Sequence, residues 1–239
     1  MAKDKRVLAK DKAIHKAKTN MWLYAGAIRL IRAFFFIVGG PVKWFGRENI
    51  PTDENFIMVA PHRTGNEIFY MGFGIMPKQF AFMAKKELFT NPLIGGWLRN
   101  VHGFAIDREN PGRDALAIPI DILKTSKLNL MMFPSGSRES EDLKGGVALI
   151  ASMAKVKIVP AVYQGPLTIG ALIGGLFNKK RRAHMAFGAP IDISDLGRIK
   201  KEQIEIVEER IAQAFKELDN TINPDYVYVP RDLHSKGKK

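Results

Sequence analysis

The chain has 239 residues, with 37 basic against 24 acidic side chains, a net charge of +13 and no cysteine. A hydrophobic content of 46% supports a folded core and excludes global disorder, while the lack of cysteine excludes a disulfide framework and agrees with a cytoplasmic setting. The positive excess calls for an anionic partner, either lipid headgroups or nucleic acid.

In chain order, residues 1–18 come first and carry Lys3, Lys5, Arg6, Lys10, Lys12, Lys16 and Lys18 against Asp4 and Asp11. Met21 to Val38 is largely apolar, with Trp22 and Tyr24 at one end and Phe34-Phe35-Phe36 near the other. Its length nearly suits a membrane span. Arg29 and Arg32 sit mid-segment, however, and each would cost about 2.5–3.5 kcal/mol at the bilayer centre, roughly cancelling the apolar gain. An amphipathic membrane-surface helix with its Arg pair toward the headgroups is the preferred reading, ahead of a span or a helix buried on the domain. A signal peptide is disfavoured, because the basic region is too long and Gly39-Gly40-Pro41-Val42 lacks a small-x-small cleavage site.

A series of short apolar runs bounded by turn residues follows, each reading as a buried strand. Phe56 to Ala60 leads into Pro61-His62-Arg63-Thr64-Gly65-Asn66-Glu67, and Ile68 to Met76 then reads as a helix with Asn66 as N-cap. His62 thus sits on a strand-to-helix connection, and Glu67, in the first turn, is placed to fold back onto the imidazole. A carboxylate on one ring nitrogen fixes the tautomer and leaves the other to accept a proton, which makes a general base with its orienting partner. Phe80 to Ala84 is the next strand. Val101 to Arg108 and Leu128 to Phe133 follow, the first ending in Arg108 and the second in Pro134-Ser135-Gly136-Ser137-Arg138. An Arg offers a planar fork to a phosphate, and a Ser-Gly-Ser turn offers hydroxyls and approachable N–H groups. Val156 to Val162 and Ala183 to Gly188 are further strands, with helices over Arg113 to Leu123 and Gly146 to Ala154 between the later ones. Over 200–218, Ile204, Val207, Ile211, Phe215 and Leu218 fall at helical spacing on one face. The alternation argues an α/β fold: a central, largely parallel mixed sheet flanked by helices, with an N-terminal helical membrane-association segment. Ligands in such sheets gather beyond the strands' carboxyl ends, where His62, Arg108 and Gly136 all fall.

As an ordered set these segments resemble the 1-acyl-sn-glycerol-3-phosphate acyltransferase (lysophosphatidic acid acyltransferase) family of the glycerolipid acyltransferase superfamily. Its H-x-x-x-x-D, G-x-x-F-[IV]-x-R-like, F-P-E-G-T-R-S and V-P-[IV] blocks correspond to His62 to Glu67, Gly103 to Arg108, Phe133 to Arg138 and Val159-Pro160-Ala161. Lys86-Glu87-Leu88-Phe89 looks like the segment linking the first two blocks and Lys144-Gly145-Gly146 like the basic, glycine-rich segment after the third, and the resemblance covers roughly residues 40 to 190. Three positions depart from the family pattern: Glu67 stands for Asp, and Ser135 and Ser137 stand for Glu and Thr. Charge and hydropathy mark a basic, amphipathic membrane-association segment over 1–40, and the resemblance implies an acyltransferase domain over 41–239. It implies His62 as base for the sn-2 hydroxyl of lysophosphatidic acid, Glu67 as its orienting partner, and Arg108, Gly136, Ser137 and Arg138 as phosphate contacts.

The donor would be an acyl thioester of acyl carrier protein or coenzyme A, and the location the cytoplasmic face of the cell membrane as a peripheral protein. No metal or organic cofactor is implied: the five His are not paired at metal-ligand spacing and there is no Cys. Ser135 and Ser137 are disfavoured as nucleophiles, since neither lies in a G-x-S-x-G elbow. No helix-turn-helix, zinc-finger or stacking-aromatic signature supports nucleic acid as the anionic partner. Two alternatives stay open. One is an acyltransferase of the same superfamily with another acceptor, such as glycerol 3-phosphate or a different lysolipid. The other, motivated by Glu67, is a catalytically silent lipid-binding protein.

Overall fold

The computed structural model describes residues 21–107, 112–136 and 143–227. Arg108, Ser137 and Arg138, the basic stretch 1–18 and the last strongly basic residues of the tail lie outside the described residues.

Seven strands form one sheet: β1 (Lys43–Phe45), β2 (Phe56–Val59), β3 (Phe80–Lys85), β4 (Gly103–Ile106), β5 (Asn129–Met132), β6 (Lys157–Gln164) and β7 (His184–Phe187), in the order β1-β7-β6-β2-β5-β3-β4. All neighbours are parallel except β6 and β7. The helices are α1 (Met21–Gly39), α2 (Glu67–Gly74), α3 (Pro92–Asn100), α4 (Asp114–Thr125), α5 (Gly146–Ala154), the single turn α6 (Ile169–Leu172) and α7 (Lys201–Ile222). The largely parallel α/β architecture expected from the apolar runs is therefore what the chain adopts.

Both faces of the sheet are covered, which is why its strands read as continuous apolar runs and not as alternating ones. In β2, Ile57 and Val59 join Leu130, Ile122, Ile150 and Ile211 in the core on the α4, α5 and α7 side. Phe56 and Met58 join Phe35, Tyr70, Phe73 and Phe80 on the α1 and α2 side. The β2 register sets Val59 beside Met132 of β5 and Pro160 of β6, so the chain leaves β2 and β5 at adjacent points on one edge.

Buried Gln79 ties four elements together. Its side-chain N–H donates to Met21 O at the start of α1 (2.9 Å), and its Oε1 pairs with His102 Nε2 (2.7 Å). Its carbonyl accepts from the Asn129 backbone and side chain, and Asn129 Oδ1 in turn accepts from Phe56 N. α1 is docked through Tyr24, Ile28, Ile31 and Phe35, at helical spacing, with Tyr24 stacked on His102 at 4.8 Å. Its opposite side leaves Trp22 (89% exposed), Leu30, Phe34 and Ile37 outward. Arg29 and Arg32 are also exposed; Arg29 donates to Ala25 O within its own helix and Arg32 reaches Met76 Sδ.

The structure differs from the sequence reading in a few places. β1 and α3 are not among the elements expected from sequence. The run from Val101 narrows to Gly103–Ile106 because Val101 and His102 close the turn after α3, with His102 at φ +66°. Asn66 does not cap α2 with its side chain; it donates instead to Pro166 O at 3.2 Å.

Gly74, the last residue of α2, faces the tip of the Phe187 ring in β7, where a Cβ would overlap the ring edge. Gly74→Ala gains about 1 kcal/mol of helix propensity, whereas overpacking a filled core costs about 1–3 kcal/mol. Phe187 is 1% exposed and stacked on Trp44, so the ring has little room to give and the loss wins. Urea melts should show Gly74→Ala destabilised, with Phe187→Leu costing less in that background than in wild type.

Candidate active site

The loop between β2 and α2 carries the site. His62 Nδ1–H donates to Glu67 Oε1 at 2.5 Å, and Glu67 Oε2 accepts from the backbone N–H groups of Arg63 and Thr64, each at 3.1 Å. Glu67 is wholly buried, whereas the His62 side chain keeps some exposure. Burial pushes the Glu67 carboxyl above the usual carboxylate range; the hydrogen bond and charge of His62, and the two N–H groups, pull it back down. The extra methylene of Glu relative to Asp is thus accommodated: one oxygen reaches the imidazole while the other holds the loop.

The His62 ring lies flat on Phe133, at 4.1 Å between centroids and 17° between planes, a direct consequence of β2 and β5 being neighbours. The loop is fastened at three further points. Thr64 Oγ1 donates to Leu167 O at 2.5 Å, and Asn66 Nδ2 to Pro166 O. The Arg63 guanidinium makes a two-pronged bond to Asp219 near the end of α7, at 2.8 and 2.7 Å, and Gln164 Nε2 also donates to Asp219 Oδ1 at 2.8 Å.

His62 opens onto a cavity of about 440 Å³. Asp107, Pro134, Gly136 and Lys144 line it together with Phe82, Met131, Met132, Val147 and Ile150. A second, almost wholly apolar cavity of about 220 Å³ lies between α1 and α3, lined by Tyr24, Ile28, Ile31 and Trp97 among others. The two share Ile68, Phe82 and Met131 as lining, so the apolar cavity at α1 adjoins the one at His62.

Of the predicted site residues, His62 and Glu67 are in contact and Gly136 lines the same cavity; Arg108, Ser137 and Arg138 lie outside the described residues. Gly136 is in the left-handed region (φ +69°), and its N–H donates to Phe133 O at 2.9 Å. That N–H is therefore engaged in closing the turn. What Gly136 contributes to the cavity is the absence of a side chain: a Cβ there would stand 3.8 Å from Lys144 Nζ. Ser135 is buried and lines a separate cavity of about 410 Å³, with Pro61, Arg63 and Tyr226. In sequence Lys144 reads only as part of the basic, glycine-rich segment after the third block. The Arg63–Asp219 bond joins residues 156 apart and has no local signature.

An acyltransferase family profile matches residues 41–164. A 1-acyl-sn-glycerol-3-phosphate acyltransferase of Streptococcus pneumoniae is 50% identical over 191 residues, covering 80% of this chain and 70% of that protein. The protein of the same name from Bacillus subtilis is 37% identical over 204 residues, covering 84% of this chain and 99% of the relative. Among solved structures, the crystal structure of the 1-acyl-sn-glycerophosphate (LPA) acyltransferase PlsC from Thermotoga maritima shares the fold. Its TM-score is 0.59 at 22% identity, over 94% of this chain and 83% of that one. The chain therefore belongs to the 1-acyl-sn-glycerol-3-phosphate acyltransferase family and is an acyltransferase.

Proposed function

We propose that this acyltransferase moves an acyl group from a thioester, of acyl carrier protein or coenzyme A, to the sn-2 hydroxyl of lysophosphatidic acid, forming phosphatidic acid. The observation that carries the reading is the His62–Glu67 contact at the mouth of a cavity with an apolar interior. With Nδ1–H donated to a carboxylate, Nε2 is the basic nitrogen of the ring. It takes the hydroxyl proton as the oxygen attacks the thioester carbonyl; the C–S bond then breaks, and the departing thiolate takes the proton back from His62. No covalent enzyme intermediate is required, and the reading assigns no metal or organic cofactor to the step.

The acceptor phosphate is assigned to Arg108, Gly136, Ser137 and Arg138 by the family pattern, with Lys144 added because it lines the cavity beside Gly136. Holding the phosphate there sets the hydroxyl against the base, and positioning of this kind supplies up to about 7–11 kcal/mol. The adjoining apolar cavity at α1 suits an acyl chain. The protein would work at the cytoplasmic face of the cell membrane as a peripheral enzyme. The exposed apolar side of α1 would sit in an anionic surface, with Arg29 and Arg32 at the headgroups.

The test is phosphatidic acid formation from lysophosphatidic acid and acyl thioester by purified, detergent-solubilised protein, with both donors compared. His62→Ala should lose at least about a hundredfold in kcat; equal turnover would sink the mechanism. Glu67→Asp, although it restores the common family residue, should lower kcat by about ten- to a hundredfold. The shorter side chain cannot serve imidazole and loop together, and about 1 Å of misplacement costs on that order. A rise in rate would instead point to a decayed site. Lys144→Met should raise KM for lysophosphatidic acid by about tenfold or more with kcat little changed, the mark of a contact made equally in ground and transition states.

A further inference from the structure

We propose that the segment from Ile169 to Phe177, with Lys179 and Lys180 beside it, is a second contact with an anionic phospholipid surface, continuous with the C-terminal end of α1. The inference deepens the membrane-surface part of the function proposed above and rests on it.

The segment is firmly built, yet its apolar side chains stand outward. Leu172 is fully buried and anchors it, whereas Ile173 is 59% and Phe177 90% exposed. Arg181 donates to Ile173 O at 2.8 Å, and Arg182 donates to Gly175 O and Leu176 O, each at 3.0 Å. These two cations thus hold the loop's carbonyls and fix its shape. Lys179 and Lys180 are exposed at the same place.

The segment also interlocks with α1. Gly40 (φ +73°) is pressed so closely on the loop that a Cβ would meet Gly175 O at 2.6 Å and Leu176 Cα at 2.9 Å. Exposed Phe36 and Ile37, in the last turn of α1, precede that contact directly in the chain. The two exposed apolar surfaces are therefore joined at a backbone-to-backbone contact. Apolar side chains projecting beside lysines fit a fluid, negatively charged bilayer, which moulds around them and attracts each cation. Protein interfaces, in contrast, are depleted in Lys. Just before the segment, Leu167 O and Pro166 O are tied to the loop that carries His62, so the contact with lipid would be coupled to that loop.

The full chain contains no cysteine, so a single introduced one can carry an environment-sensitive dye at a known place. Gly170 in the segment and Gly26 on α1 are both open to solvent, with no atom within 4 Å of an added Cβ. Gly170→Cys, Gly26→Cys and a control, Glu209→Cys on α7, would each be labelled and mixed with vesicles of phosphatidylcholine, with and without phosphatidylglycerol. The expected result is a blue shift and quenching by shallow lipid-borne quenchers at 170 and 26, greater with phosphatidylglycerol, and no change at 209. In that series Lys179→Gln with Lys180→Gln should weaken partition to the anionic vesicles by about fivefold per lysine. A shift at 26 alone would overturn the second contact and leave the α1 reading standing. No shift at either would overturn both. An equal shift at 209, or unchanged anionic partition without the lysines, would also overturn it.

Discussion

The site depends on one buried carboxylate. Glu67 has no exposure, and taking a carboxylate out of water costs several kcal/mol unless donors surround it. Here three do: the imidazole Nδ1–H and two successive backbone N–H groups. Those N–H groups converge only if residues 62–66 adopt this loop, so the charge and the loop conformation stabilise each other. The imidazole orientation follows from that mutual requirement. Phe133, held at 4.1 Å by the register of β2 on β5, limits tilting of the ring on one face.

A loop that must keep such a shape needs fastening from outside, and its fasteners come from distant parts of the chain. Arg63 reaches α7 through Asp219, which Gln164 at the end of β6 also holds. Arg63 is itself buried, so its two-pronged partner is required by the same desolvation argument that applies to Glu67. Thr64 and Asn66 fasten the loop to the carbonyls of residues 167 and 166. The C-terminal helix is thus part of the site's support, although it contributes no group to the cavity around His62.

What could be read from sequence follows from how each feature is encoded. The strands β2, β3, β5, β6 and β7 lie within a residue or two of expectation, because a sheet covered on both faces writes itself as short apolar runs between turn residues. The α7 stripe was legible because one face of a solvent-flanked helix meets the core. β1 is three half-exposed residues at the sheet edge, too short for any period. α3 does have an Asn91-Pro92 start signal, but Gly95 and Gly96 weaken its propensity, and its Leu93, Ile94 and Trp97 face outward, so no buried stripe could be seen. The His62–Glu67 pair was legible because both partners sit on one loop. Asn66 read as a cap because its local sequence asks for one; a tertiary acceptor at Pro166 took its side chain instead. The Arg63–Asp219 bond is invisible for the same reason that it is useful, since it joins segments the sequence keeps far apart.

The arrangement of polarity fits the amphipathic acceptor proposed above. The parallel sheet brings the ends of β2, β4 and β5 to one edge, where Asp107, Gly136, Lys144 and His62 meet around one cavity. Behind that edge the lining turns apolar, through Phe82, Met131 and Ile68, which also line the adjoining cavity at α1. His62 therefore stands at the boundary between a polar mouth and an apolar interior. A lysolipid has the same division, with its free hydroxyl lying between phosphate and chain. Placing the phosphate in the mouth and a chain in the interior brings that hydroxyl to the boundary. In that reading the proposed base needs to be exposed only there, which is consistent with a partly buried imidazole on a fully buried carboxylate.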